Sequence, residues 1–253
     1  MQGEQPNWKQ WYELFARRSD RPMPEPEAAG RYSEMPASLA KSLAIFQLGE
    51  SGGGTIVEQA RCSSIGAVDG HYADAMALFV EEEHRHADIL ATCVRTLGGS
   101  LIRKNWTAQL FVVARRLIGL RLKVLVLLAA EVVGICYYHL LASRLPPCDM
   151  KLMLEELVRD EQSHLQFHCC FLHSQTRSAW RRGLFLVVWR ATMLAAAVAV
   201  LIDHHRALRD LGLGVGIVWR RWMSYSRLAE RFVTSSTYHM QIAEHGVRPV
   251  CLQ

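Results

Sequence analysis

Residues 79–90 read FVEEEHRHADIL and residues 159–168 read RDEQSHLQFH, and these two stretches decide the fold. Each holds a glutamate followed three residues later by a histidine: Glu83 and His86 in the first, Glu161 and His164 in the second. Residues i and i+3 share one face of a helix, so each pair presents a carboxylate and an imidazole side by side. A lone glutamate precedes each pair at a similar interval. Glu50 stands 33 residues before Glu83, and Glu131 stands 30 residues before Glu161. Four helices carrying these groups would bring four carboxylates and two imidazoles to one point. That is the ligand set of a paired-metal site inside a helix bundle.

The neighbours of each candidate test whether it faces inward. Met76, Phe79, Ala87, Leu90 and Val94 fall in step with Glu83 and His86 at helical spacing. Glu81 and His84 form a competing copy, but their face carries Arg85 and Asp88 and is expected to point to water. An accidental copy is unsurprising in a chain with 16 glutamates and 11 histidines. Met150, Leu154, Leu157, Phe171 and Leu172 line up with Glu161, His164 and His168. Val124, Leu127, Leu128, Ile135 and Tyr138 line up with Glu131. A glutamate among leucines is expensive unless it is paired or binds a metal. Metal-bound imidazoles normally give their second N–H to a carboxylate or carbonyl. Asp160 and Glu82 each precede a candidate ligand and are placed to orient the histidine of the opposite helix, Asp160 for His86 and Glu82 for His164. His168, one turn beyond His164, is a further polar group of the pocket, read as supporting the ligands.

Glu50 lies in the stretch FQLGESGGG at 46–54, where consecutive glycines disfavour a helix interior. The same string satisfies G-x-S-x-G, the nucleophile elbow, and half-resembles a phosphate loop that lacks its lysine. A serine hydrolase needs strands around that elbow, and no strand pattern occurs elsewhere. Gly53 and Gly54 follow Glu50 at i+3 and i+4, where missing side chains leave room for dioxygen or a substrate, or for close helix packing.

The rest of the chain reads as an all-α protein of 253 residues. Residues 1–36 form an N-terminal segment with a short aromatic helix at 6–18 and a proline-rich linker. Residues 37–176 form the metal-binding bundle, and 177–253 a C-terminal helical extension packed on it. Helices are expected at 37–62, 69–97, 119–144, 148–175, 178–207 and 215–240, with a short connecting helix at 105–118. Residues 184–202 approach membrane-spanning length with Arg190 their one charge. They are read as a buried bundle helix, with peripheral membrane contact or a span as alternatives. The formal charge of +5 arises from 24 arginines and five lysines in scattered pairs, with no sustained basic run, so nucleic acid is not an expected partner. Seven cysteines without C-x-x-C exclude a rubredoxin-type centre or zinc ribbon and suggest reduced thiols in a cytoplasmic setting. The polar first 30 residues hold no signal-peptide core.

With AEVVGICYYHLL at 130–141 added to the three stretches above, residues 40–175 resemble the ferritin-like superfamily, in particular bacterial ferritin-like domain proteins of unassigned activity. RDEQSHLQFH is similar to the D-E-x-x-H-x-x-F segment of the wider di-iron oxidases. The resemblance implies a ferritin-like four-helix bundle with Glu50, Glu83, His86, Glu131, Glu161 and His164 as ligands of two Fe ions, or Mn, and Asp160 behind them. It also has departures. No tyrosine is assigned as a radical site, and Leu157 stands where N-oxygenases carry an additional ligand histidine. The expected function is an oxidoreductase that activates dioxygen to oxidise or hydroxylate an organic, apolar substrate. Electrons would come from an external donor, since no flavin or nicotinamide fingerprint occurs. Two alternatives remain: an iron-binding or ferroxidase protein without organic turnover, and a bundle whose site is vestigial and metal-free.

Overall fold

The computed structural model describes residues 6–24, 35–52, 55–107 and 119–235, and the regular structure among them is entirely helical. In chain order the helices are α1 (Trp8–Ala16), α2 (Ala37–Glu50), α3 (Thr55–Arg61), α4 (Gly70–Thr96), α5 (Leu120–Ala142), α6 (Asp149–Gln175), α7 (Ala179–Asp210) and α8 (Val215–Thr234). Most of the expected connecting helix at 105–118, Gly53 and Gly54, and the end of the last helix beyond 235 lie outside the described residues.

Two pairs of long helices make the bundle. α5 packs along α6, α2 packs along α4, and α4 meets α6 at the centre. The short connection through Pro146 and Pro147 makes α5 and α6 neighbours, because proline cannot continue the first helix. α4 begins at Asp69, whose carboxylate accepts the Tyr72 N–H at 2.8 Å, an N-cap that satisfies one of the free donors of the first turn. It ends at Gly98, which adopts φ +70°, while the Gly99 N–H reaches back to the Val94 carbonyl at 2.9 Å. This is the glycine helix stop. A Cβ on Gly99 would lie 2.7 Å from the Ala40 Cβ, so its absence lets α2 close on the end of α4.

The sequence led us to expect one helix over 37–62, but the chain folds as two. α2 stops at Glu50, and α3 starts again at Thr55. Ser51 and Gly52 already lie outside the helix, and glycine loses the most backbone entropy in a helix, which favours a stop there. Glu50 is thereby the last residue of α2, placed on regular helix at the edge of the centre.

α1 is clamped by aromatic packing. Phe167 of α6 meets Trp8 and Phe15 edge-on, with centroids at 5.8 and 5.4 Å, and stacks on Tyr72 of α4 at 5.4 Å. The Trp8 indole also donates to the Ala67 carbonyl at 2.6 Å, so the apolar body and polar edge of this ring are both satisfied.

α7 corrects a second expectation. Residues 184–202 are not enclosed. Of the apolar stretches of α5 and α7, each long and apolar enough to cross a membrane, 83% is buried in the first and 22% in the second. One face of α7 packs inward through Phe185, Trp189, Met193 and Ala197. Its opposite face has no neighbour among the described residues, because α7 lies on the outside of α5 and α2.

Near its C-terminal end α7 is fixed by His204. The Ser42 hydroxyl lies 2.6 Å from His204 Nδ1 and also bonds the Tyr137 hydroxyl, while the Phe46 ring covers both rings at 4.4 and 4.7 Å. Burial pushes the His204 pKa down to about 4, although Asp203 opposes the shift. The folded chain therefore keeps this imidazole neutral at pH values where the unfolded chain protonates it. That depressed value leaves stability intact above pH 6.5 and removes it as pH falls towards 4. We expect the stability advantage of wild type over His204→Gln to shrink by about 2 kcal/mol between pH 7.5 and 4.5. Urea unfolding of both proteins across that range checks this, and parallel pH curves would sink it.

Candidate metal centre

α4 contributes Glu83 and His86 and α6 contributes Glu161 and His164, and one ligand atom from each lies within 4.8 Å of every other. Both imidazoles are fully buried. His86 Nδ1 is 3.7 Å from Glu83 and 3.2 Å from Glu161. His164 Nδ1 is 3.0 Å from Glu83, 3.3 Å from Glu161 and 3.8 Å from Glu131. Each histidine therefore turns Nδ1 inward, towards the glutamate of its own helix and that of the facing one. Glu81 and His84, the competing copy, are exposed on the far side of α4.

The outward nitrogens cross between the helices. His86 Nε2 faces Asp160 Oδ2 at 3.4 Å, and His164 Nε2 faces Glu82 Oε2 at 2.9 Å. A carboxylate only accepts, so each Nε2 carries a proton, while each Nδ1 faces the inner glutamates and would be the ligating nitrogen once a metal displaces its proton. Behind these carboxylates stands Arg21, a residue that spacing arguments do not find. Its guanidinium donates to both oxygens of Asp160, at 2.9 and 2.6 Å, and to Glu82 Oε1 at 3.0 Å. One planar cation thus holds both groups that orient the histidines. Arg18 lies alongside, donating to the Ser163 hydroxyl at 3.0 Å. Arg85, expected in water, instead pairs with Glu156 at 2.6 Å and donates to the Pro22 carbonyl at 3.0 Å. It faces the N-terminal segment that covers this end of α4.

The remaining candidates sit around the four. Glu131 is buried, with Oε1 3.3 Å from His168 Nε2. His168 is fully buried against the Phe79 ring at 4.8 Å. Glu50 is the most open, half-buried at the end of α2, and accepts a hydrogen bond from the Tyr138 hydroxyl at 2.6 Å. Tyr138 stood in the expected α5 stripe with Glu131, but nothing in the sequence tied its hydroxyl to Glu50. Gly134 leaves room beside the Tyr138 ring. A Cβ there would lie 3.3 Å from the Tyr138 ring and 3.7 Å from Glu161 Oε1.

Charge dominates the energetics. Burial, then the neighbouring Glu131 and Glu161 carboxylates, raises the pKa of Glu83. Burial, then Glu131, does the same to Glu161. Loss of solvation, then Glu83 and Glu161, pushes Glu50 well above the ordinary carboxylate range. For His86, burial alone favours the neutral ring, but the nearby carboxylates of Asp160, Glu161 and Glu83 outweigh it and the pKa rises. Burial likewise opposes the charge on Asp160, yet His86 and Arg21 hold it well below its usual value. The protein alone therefore answers the inner carboxylates only with protons, while the outer one keeps its charge.

The residues fit a metal. Among the described residues, Glu83 Oε1, His86 Nδ1 and both nitrogens of His168 are buried without a hydrogen-bond partner. Four carboxylates, Glu50, Glu83, Glu131 and Glu161, carry the charge that two divalent cations would neutralise.

In comparison with protein-family models, with curated proteins and with solved structures, the chain matches none. The case for the centre therefore rests on its own geometry. The role of Arg21 is separable from metal. Arg21→Ala is expected to lower unfolding stability by about 3 kcal/mol, because it leaves Asp160 charged and buried without its main cation. Arg21→Lys should recover less than half of this, since a point charge cannot reproduce the two-pronged bond. Chemical denaturation of the metal-free proteins checks both; a full rescue by lysine would contradict the fork.

Proposed function

We propose that the chain is a ferritin-like four-helix bundle whose centre holds two iron ions, or manganese, and that it is an oxidoreductase acting on an organic substrate. Glu83, His86, Glu161 and His164 would form the core of the ligand set, with Glu131 and Glu50 completing it. The observation that carries this reading is the opposed orientation of the two imidazoles, Nδ1 inward among the glutamates and Nε2 outward onto Glu82 and Asp160. Carboxylates with imidazoles and no thiolate favour iron or manganese over the softer sites that select zinc or copper. When bound, such a pair of ions supplies electron transfer to dioxygen, with electrons drawn from an external donor.

The chain's own residues would do the rest. Arg21, Asp160 and Glu82 fix the ring orientation of His86 and His164 and hold their Nε2 protons in place. Phe79, packed edge-on against His164 and His168, keeps water from that side. Burial and the neighbouring His164 push the His168 pKa down to about 3, so a neutral ring faces Glu131. Glu50, at the half-open edge, is held by the Tyr138 hydroxyl and is the ligand best placed to move when a small molecule enters. No disulfide joins the described cysteines, which supports a reducing, cytoplasmic setting.

Elemental analysis of the purified protein tests the proposal. About two Fe or Mn per chain are expected, with loss in Glu83→Ala and in Glu161→Ala; zinc alone, or no metal, would falsify it. Asp160→Asn should retain the fold but weaken metal affinity about 10–100-fold, as read by competition with a chelator. A large hollow assembly by light scattering would move the reading to iron storage without organic turnover.

A further inference from the structure

α7 and α8 carry a feature that the metal centre does not use. Trp180, Leu184, Val187, Leu194, Val198 and Ile202 are all exposed, between 49% and 69%. Their spacing at three and four residues, with Ala191 between, puts them on one face of α7. The stripe runs unbroken by any polar side chain for about 33 Å, taking 1.5 Å per residue. Monomeric soluble proteins rarely expose contiguous apolar surface on this scale.

Charge is gathered on the same two helices. Residues 177–235 contain ten arginines, no lysine and three acids, a formal +7 in a chain whose total is +5, so the rest of the molecule is net acidic. On α8, Arg220, Arg227 and Arg231 follow one another along an exposed face. The groove between the helices joins the two surfaces: Leu194 and Met193 line it from α7, and Trp219, Met223 and Arg227 from α8. At the other end Arg181 lies over the Trp180 ring at 5.4 Å. An apolar strip flanked by arginines, with tryptophans at the margins, matches the depth profile of an acyl boundary beneath headgroups.

We propose that α7 and α8 together form a docking face for an anionic lipid bilayer, with α7 lying in the membrane plane, its stripe sunk into the acyl boundary and the α8 arginines at headgroup level. A second copy of the chain is a poorer occupant, because it presents the same cationic face and self-pairing sets like charge against like. The packing argues against a span. Arg227 shares a groove with Leu194, and Arg190 is bonded through two nitrogens to Glu230 of α8 at 3.0 Å each. Crossing the bilayer would carry these charges into hydrocarbon.

Flotation of the full-length protein with phosphatidylcholine vesicles, and with vesicles containing one-third phosphatidylglycerol, tests the face independently of metal content. Binding to the anionic vesicles is expected, weakening as salt is raised. Leu184→Gln with Leu194→Gln, at exposed positions, should cut the partition coefficient about tenfold or more with an unchanged circular dichroism melt. Neutralising Arg220, Arg227 and Arg231 to Gln should cut it about a hundredfold, at about fivefold per charge. Failure to float with either vesicle, or equal flotation of wild type and both variants, overturns the proposal. A dimer that dissociates in the leucine variant assigns the face to a second copy instead, and retention in vesicles through an alkaline carbonate wash assigns it to a span.

Discussion

Six carboxylates are drawn together between α4, α6 and their neighbours, and the rest of the structure depends on how they are answered. Glu82, Glu83, Glu131, Asp160 and Glu161 are buried and Glu50 is half-buried. An uncompensated charge in such a place costs several kcal/mol, which no local helix preference can offset. The protein answers in two layers. Arg21 takes Asp160 and Glu82 directly, and those two in turn take the outer nitrogens of His86 and His164. The inner glutamates are answered by protons, on their own carboxyls and on the two imidazoles, and their shared repulsion is the strongest physical argument that a metal belongs between them.

This division explains what could be read from the chain. A carboxylate and an imidazole three residues apart leave a mark in one dimension, because helical periodicity ties sequence spacing to a common face. Apolar stripes separated the Glu83–His86 pair, which lies inside, from Glu81–His84, which is exposed. Arg21 leaves no such mark. It sits in a proline-flanked coil where no period applies, and its partner is 139 residues away. A tally of charges would have called for it, since six acids with two histidines ask for a cation somewhere. The hydroxyl of Tyr138 is a similar case: its position on the inner face of α5 was legible, while its bond to Glu50 depends on where α2 stops.

The two departures in the helices have one origin, which is that composition says whether a segment can be helical or apolar but not what lies beside it. Gly52 after Glu50 disfavours helix by an amount that packing often overrides, and here it does not. Residues 184–202 and α5 are both apolar enough to be core. Only the layer order decides that α5 is enclosed by α6, α7 and α8 while α7 has one covered face. The molecule is consequently polarised, with an acidic interior and an apolar, arginine-edged flank separated by the thickness of α5.

The reach of Arg21 also sets an order of events in time. Ribosomes extend a chain at about 5–20 residues per second, so Arg21 waits roughly 7–30 s before Asp160 has even been made. Until then Asp160 and Arg21 cannot meet, and the aromatic ring of Phe167 that seats α1 is missing as well. During that interval one end of the nascent bundle stays open. Trp8 can meet Ala67 and Tyr72 early, but the contacts of Arg21 and Phe15 with α6 are completed only when α6 has been made.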